Sequence, residues 1–162
     1  MTYYTEFRSP LGNLLLAATA KGLSGLYFEE HKYFAGKGNW QRDDGNRHLV
    51  QAAAQLDEYF SGRRTTFDIP LDLEGTPFQQ MVWEQLKSIP FGATETYGTQ
   101  ARRLGKPQVV RAIGGAIGRN PVSIIVPCHR VIGTSGALQG YAGGLKRKRY
   151  LLALEAGTTQ SG

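Results

Sequence analysis

The run IIVPCHRVIG, residues 124–133, contains the only cysteine of the chain, Cys128. The apolar residues 124–126 predict a buried strand that ends at a proline, and His129 and Arg130 directly follow the cysteine. A thiol is a good nucleophile as its thiolate, which a neighbouring base or cation favours. A lone cysteine after an apolar strand is otherwise most often a buried structural residue. The flanking imidazole and guanidinium favour the nucleophile, because such polar groups are costly to bury.

An imidazole that serves as a base needs a carboxylate to orient it. On an extended chain His129 points away from Cys128, so it acts on the thiol only through a turn or a relaying water. Residues 91–162 contain two acids, Glu95 and Glu155. Glu95 lies in a polar segment, whereas Glu155 ends an apolar helical stretch. We therefore expect Glu155 to hold the imidazole.

Charge is distributed unevenly along the chain. Residues 1–90 carry 9 Lys and Arg against 11 Asp and Glu, a net charge of −2, whereas residues 91–162 carry 10 against 2, a net charge of +8. So basic a segment has the charge of a polyanion-binding domain. The alternative is a solvated basic surface without a partner.

Composition excludes several classes of protein. No stretch approaches the roughly 20 apolar residues of a membrane span, and the N-terminus lacks a secretory pattern, so we expect a cytoplasmic protein without a membrane partner. One cysteine forms no internal disulfide, and together with three scattered histidines it supplies too few ligands for a zinc site. We expect no metal and no cofactor.

The pattern along the chain predicts two domains. Residues 1–74 contain predicted strands, then a helix over 48–60 and a further strand over 65–71, which indicates a small α/β scaffold domain. Residues 75–157 predict a mainly α domain that opens with a capped helix and carries the cysteine. Residues 158–162 are expected to be a disordered tail.

Two short predicted helices, over 97–104 and 108–118, meet at a Gly-Lys-Pro turn and indicate a helix-turn-helix. The second helix is rich in small residues, including Gly114 and Gly115. Because glycine lowers helix stability, this bare surface indicates either a partner that approaches the backbone closely or packing against another helix. A soft thiolate beside DNA suits the transfer of an alkyl group from a base to sulfur. A cysteine hydrolase needs a cleft and an oxyanion hole but not the charge of +8, and a redox sensor needs an exposed thiol but not a His–Glu pair.

The motif Pro-Cys-His-Arg at 127–130, with Asn-Pro at 120–121 and Arg-Ala-Ile-Gly-Gly-Ala at 111–116, resembles the O6-alkylguanine-DNA alkyltransferases. The resemblance is close over residues 75–155 and extends to the N-terminal α/β domain in size and order. It implies direct DNA repair, in which Cys128 takes the alkyl group of O6-alkylguanine, and less efficiently of O4-alkylthymine, from double-stranded DNA. The transfer is expected to be irreversible and to happen once per molecule.

The resemblance also implies roles for other residues. His129 would act as a base through a water, Glu155 would hold it, and Asn120 would brace the turn before the nucleophile. Arg111 would replace an extruded nucleotide in the duplex, and Tyr97 would press on its phosphate and donate to the guanine ring. Simpler roles remain open for the last three: an Asn that ends a helix, a phosphate contact without base flipping, and a core aromatic.

Further implied residues lie along the DNA surface and around the substrate. Gly114 would let the recognition helix enter the minor groove, and Thr134 would contact DNA beside it. The expected substrate pocket consists of Pro127, Leu138, Tyr141 and Gly143.

Two other functions compete with repair. A binding module that flips alkylated bases without repairing them lacks the cysteine, so Cys128 argues against it. A DNA-independent cysteine hydrolase would turn over esters without DNA. We expect a monomer in solution, and the sequence leaves cooperative binding along DNA and the preferred alkyl group open.

Overall fold

A four-stranded sheet forms the centre of the N-terminal half. The computed structural model describes residues 1–134, 136 and 140–157, and its strands follow the order β3-β2-β1-β4. The first three strands pair antiparallel, and β4 joins β1 in parallel. The strands are β1 (Tyr3–Ser9), β2 (Gly12–Thr19), β3 (Gly22–Tyr27) and β4 (Gln41–Arg42).

One long helix, α1 (Arg47–Phe60), packs on this sheet. Asn46 caps it, because its side chain accepts hydrogen bonds from the first backbone N–H groups of the helix. Leu49, Ala52 and Leu56 lie on one helical face and are fully buried. The helix begins one residue before the predicted start and ends at the predicted residue, so the apolar spacing located it correctly.

Helices dominate the C-terminal half. A short parallel pair of strands and two single 3-10 turns, Pro107–Val109 and Cys128–Arg130, connect them. This arrangement confirms the predicted fold class, an α/β part followed by a mainly α part. The elements are α2 (Pro77–Leu86), β5 (Glu95–Thr96), α3 (Tyr97–Arg103), α4 (Val110–Gly118), β6 (Val131–Ile132) and α5 (Leu145–Glu155).

Two predicted strands are wrong. Residues 65–71 form only one bridge to the sheet, between Leu71 and Leu23, because Pro70 has no N–H to donate to a ladder. Residues 124–126 form tight turns instead of a strand. Ile124 has a φ of 74°, a left-handed conformation that no strand contains.

The two halves are joined by backbone and side-chain contacts. The Leu26 N–H donates to the Pro121 carbonyl at 2.8 Å, and the Lys32 N–H to the Ala142 carbonyl at 2.9 Å. Arg147 of α5 reaches into the first half, where its guanidinium donates to the Glu29 carbonyl at 2.8 Å. These contacts hold the two halves against each other. No helix in the described part of the chain combines the length and apolar character needed to cross a membrane.

Candidate active site

Cys128 begins the second 3-10 turn and is only 4% exposed. Buried Asn120 fixes the segment before it. The Asn120 amide nitrogen donates to the Val126 carbonyl at 2.8 Å, and its oxygen accepts the Val122 N–H at 2.9 Å. One side chain thus holds both ends of the turns that lead from α4 to the cysteine. The geometry matches the bracing expected of Asn120.

A buried imidazole–carboxylate pair follows the cysteine. The Nε2 of His129 lies 2.7 Å from the Oε2 of Glu155, and both side chains are almost completely shielded from solvent. Glu95, the other acid of this region, instead pairs with Arg103 at 2.7 Å. The structure therefore brings His129 together with the acid that the sequence favoured.

Protonation states in this pair follow from burial and hydrogen bonding. Burial lowers the pKa of His129, and this outweighs the opposite effect of Glu155. Burial alone would raise the pKa of Glu155, but hydrogen bonds from His129 and Arg130 lower it to about 2. The pair is thus a neutral imidazole beside a carboxylate, with Nε2–H donating. Within the described residues, His129 Nδ1 is a buried atom without a hydrogen-bond partner, so it can accept a proton.

The same carboxylate also holds Arg130, a pairing that the sequence did not predict. Its Nε donates to Glu155 Oε1 at 2.7 Å, and one terminal nitrogen donates to Oε2 at 2.9 Å. The other terminal nitrogen donates to the Ile89 carbonyl at 2.7 Å. The buried charge of Glu155 is thereby compensated by a guanidinium with a fixed position.

Lys148 is a second residue that sequence reasoning missed. Its side chain is fully buried, and Nζ donates to the Val131 carbonyl at 2.7 Å. Burial raises the pKa of the Cys128 thiol, whereas the Asn120 side chain and the charge of Lys148 act in the opposite direction. Lys148 therefore favours the thiolate. Its spacing from buried Leu151 and Glu155, three and seven positions on, is the signal that could have revealed it.

A cavity of about 780 Å³ lies between α4, the start of α3 and the loop after β6. Two of its lining tyrosines, Tyr97 and Tyr141, are close enough to Cys128 for a thiolate there to raise their pKa, after the larger effect of burial. The cavity also contains five of the predicted residues together: Tyr97, Arg111, Gly114, Thr134 and Tyr141.

Other predicted pocket residues lie elsewhere. Pro127 lines a different cavity, of about 380 Å³, that also contains Phe91 and Arg130. Gly143 packs against Phe28, where an added Cβ would lie 2.4 Å from the ring. Its small size therefore serves packing between the halves. Leu138 and the expected disordered tail at 158–162 lie outside the described residues.

The helix-turn-helix forms as predicted, from α3 and α4. Gly105 has a φ of 70° in the turn between them, a conformation that glycine adopts without strain. An added Cβ at Gly114 would meet only the Tyr97 ring, at 4.0 Å, and one at Gly115 only the Arg119 side chain, at 3.8 Å. Among the described residues these two side chains are the only neighbours at the two positions, so this surface of α4 is open to a partner.

Fold and site together define a helix-turn-helix protein in which a buried thiol directly precedes an imidazole that is hydrogen-bonded to a carboxylate. Comparison with known proteins gives the family. Residues 77–157 match the 6-O-methylguanine DNA methyltransferase DNA binding domain, and residues 2–73 match the ribonuclease-like domain of the same family. The chain belongs to the 6-O-methylguanine DNA methyltransferase family.

Similar proteins span almost the whole chain. A methylated-DNA--protein-cysteine methyltransferase of Mycobacterium tuberculosis is 48% identical over 96% of this chain and 93% of its own length. One from Methanosarcina acetivorans is 46% identical over 94% of this chain and 97% of its own length. The crystal structure of Mycobacterium tuberculosis OGT in complex with DNA superposes with a TM-score of 0.89 at 46% identity, covering 96% of this chain and 94% of that one.

Proposed function

We propose that the protein repairs DNA directly by moving an alkyl group from O6 of guanine to the sulfur of Cys128. One observation carries this proposal: a cavity walled by the open surface of α4 is lined by two tyrosines that lie near a buried thiol, and a neutral imidazole directly follows that thiol. That geometry admits a base from a nucleic acid and places a soft nucleophile next to it.

The reaction requires one proton to leave the thiol. A water between Cys128 and His129 Nδ1 accepts it and passes it to the imidazole, whose Nε2–H stays bonded to Glu155. The thiolate then attacks the alkyl carbon, a C–S bond forms, and the bond between that carbon and O6 breaks. The electron pair of the broken bond remains on the guanine, which takes up the proton that the imidazolium releases through water, so that His129 returns to its neutral form.

Tyr97 is placed to assist the leaving guanine. Because burial raises its pKa, its hydroxyl stays protonated and donates a hydrogen bond to the guanine ring as negative charge develops there. Tyr141 lines the same cavity and is also kept protonated by burial. The two hydroxyls would give the cavity preorganised donors beside the nucleophile.

Access to a guanine in a duplex requires base flipping. Extrusion costs a few kcal/mol, and less for a damaged pair. Arg111 is exposed on α4 at the cavity, where it would fill the space left by the flipped nucleotide, and Gly114 would let α4 approach the minor groove. Thr134, exposed at the same opening, would contact the backbone. Phosphate contacts supply the binding energy, so affinity should fall steeply with salt.

The thioether product is stable, so each molecule would act once, without a cofactor and with O4-alkylthymine as a poorer substrate. Double-stranded DNA as the partner is supported by the DNA complex of the Mycobacterium tuberculosis relative. We further propose a scaffold domain over 1–74 and a reactive domain over 75–157, acting as a monomer in the cytoplasm.

Incubation with duplex DNA that carries a radiolabelled O6-methylguanine tests the proposal. We expect one label per protein molecule, on the peptide that contains Cys128, and none in Cys128→Ser. The matched duplex with unlabelled, unmodified guanine serves as the competitor control.

Two results would reject direct repair. Release of label to solvent over many turnovers would indicate a hydrolase, and tight binding of the lesion without transfer would indicate a recognition module.

A further inference from the structure

Tyr59 connects the N-terminal half to the reactive carboxylate. It lies near the end of α1 and is 1% exposed. Its hydroxyl donates to Glu155 Oε2 at 2.7 Å, across 96 positions of sequence. The same oxygen accepts from His129 at 2.7 Å and from Arg130 at 2.9 Å. The carboxylate that orients the base is therefore held partly by the other half of the molecule.

The ring of Tyr59 is fixed in place by aromatic neighbours. Its centroid lies 5.3 Å from that of Phe60, 5.4 Å from that of Phe67 and 6.2 Å from that of Phe91. A buried ring with such contacts has one position, so its hydroxyl is aimed at a fixed point. Burial and the neighbouring carboxylate raise the pKa of Tyr59 far above its ordinary value. The phenol consequently remains a donor throughout the pH range of activity.

We propose that Tyr59 is a positioning residue for alkyl transfer: its hydroxyl holds Glu155 in the orientation that presents His129 Nδ1 to the thiol and shares the negative charge of Glu155. The inference rests on the proposed function, because the base has a role only if the thiol must lose its proton. It gives the N-terminal half a part in the chemistry, through one oxygen atom.

The sharing of the Glu155 charge among its hydrogen-bond donors sets the direction in which the His129 pKa should change when the Tyr59 hydroxyl is removed. Oε2 accepts from three donors, so loss of one leaves more negative charge for His129 to face. That charge favours the imidazolium and raises the pKa of His129. An imidazolium cannot accept the thiol proton, so the acid limb of the pH–rate profile moves to higher pH.

The other charged and titratable groups around His129 stay in place in such a variant. Arg130 flanks it on its own turn, Glu155 and Lys148 come from α5, and Cys128 precedes it. Of these groups, Glu155 is the one that the Tyr59 hydroxyl contacts, so its removal acts on His129 through that carboxylate. A shift of the His129 pKa can then be assigned to the lost donor.

Tyr59→Phe tests the inference, because it removes one oxygen and keeps the ring contacts. We expect transfer from a labelled duplex to slow by about tenfold near neutral pH, and the acid limb to rise by about half a pH unit. NMR titration gives the His129 pKa directly, since the chain has three histidines, and His31 and His48 serve as internal references. Tyr27→Phe, a tyrosine away from Glu155, is the matched control.

A double-mutant cycle separates positioning from structure. In a Glu155→Gln background the Tyr59→Phe change should slow transfer little further, because the carboxylate it acts through is gone. Incorporation of 3-fluorotyrosine at position 59 keeps the hydroxyl and makes it more acidic, so the acid limb should move to lower pH. This second variant keeps the test decisive if Tyr59→Phe fails to fold.

Unchanged rates and an unchanged His129 pKa in Tyr59→Phe, with only a lower melting temperature, would overturn the inference. So would full additivity of the two changes in the cycle. Failure of the unmodified protein to label Cys128 would instead overturn the proposed function, so the two failures are distinguishable.

Discussion

Lys148 puts a cation in the interior, close to the nucleophile. Burial lowers its pKa to about 8, despite the opposing effect of the Cys128 charge. A lysine with a lowered pKa binds fewer protons in the folded chain than in the unfolded chain, where the ordinary value is 10.5. Folding stability therefore rises with pH between about 8 and 10.5. At neutral pH Lys148 is charged at a cost in folding stability, and this charge favours the thiolate of Cys128.

A prediction at the residue scale follows from Lys148. Two proteins are compared, both with Cys128→Ser so that no thiol titrates: one retains Lys148 and the other carries Lys148→Met. The free energy of unfolding of the first minus that of the second should rise by about 2 kcal/mol from pH 8 to pH 10. Urea unfolding of both proteins at each pH measures the difference. A difference that stays constant over this range would show that Lys148 keeps its ordinary pKa.

Sequence reasoning located some of these residues and not others, for physical reasons. Glu155 was found because the basic half offers two acids, and only one lies on an apolar helix. Lys148 was hidden in a run of four cations, which indicates a solvated surface unless its helical spacing is followed. Tyr59 has the spacing of an ordinary core residue, and no local pattern reports a partner 96 positions away.

Two glycines leave part of the α4 surface bare, at a cost to the stability of the helix. Gly114 and Gly115 weaken the helix by roughly 0.5–1 kcal/mol each relative to alanine. Within the described part of the chain, the space they leave is bordered only by the Tyr97 ring and the Arg119 side chain. The sequence alone left packing and partner approach equally open, because both require small residues. The neighbouring Val110 is 38% exposed, so this surface remains accessible along its length.

Gly114→Leu provides the prediction at the element scale. Affinity for undamaged duplex DNA should fall about tenfold, or roughly 1.4 kcal/mol, because the side chain stands between the helix and the groove. The melting temperature should stay the same or rise, since leucine favours helix. Gly45→Leu is the control, since an added Cβ there meets only Asp43, at 3.8 Å. Lower stability together with unchanged DNA affinity would show that Gly114 serves packing.

At the scale of the whole molecule, the four cations of the basic run at 146–149 do not share one environment. Lys146 and Arg149 are exposed, as expected for a polyanion-binding surface. Arg147 instead lies over the Phe28 ring, 5.2 Å from its centroid, and donates to the Glu29 and Leu11 carbonyls of the first half. Net charge along the sequence therefore overstates the charge that faces a partner.

Arg147→Ala and Arg149→Ala form a matched pair for this distinction. Loss of the Arg147 contacts should lower the free energy of unfolding by about 1–2 kcal/mol, whereas Arg149→Ala should change it by less than about 0.5 kcal/mol. Denaturant unfolding measures both. Equal effects of the two changes would contradict a structural role for Arg147 between the halves.

The fold class was predictable because turns, helix caps and apolar spacing are local signals. The turns at 124–126 were not predictable, because an apolar run predicts a strand. The bend of the backbone there is held by the hydrogen bond from the Asn120 amide to the Val126 carbonyl, which the apolar run does not reveal.

The hydrogen bond between Tyr59 and Glu155 has a consequence for how this protein can change over evolutionary time. The sequences of the two halves cannot diverge independently, because a substitution of Tyr59 in α1 would change the position and charge of Glu155 at the end of α5. Chimaeras that graft the second half of one relative onto the first half of another would inherit a working site only where the tyrosine and the glutamate arrive as a pair.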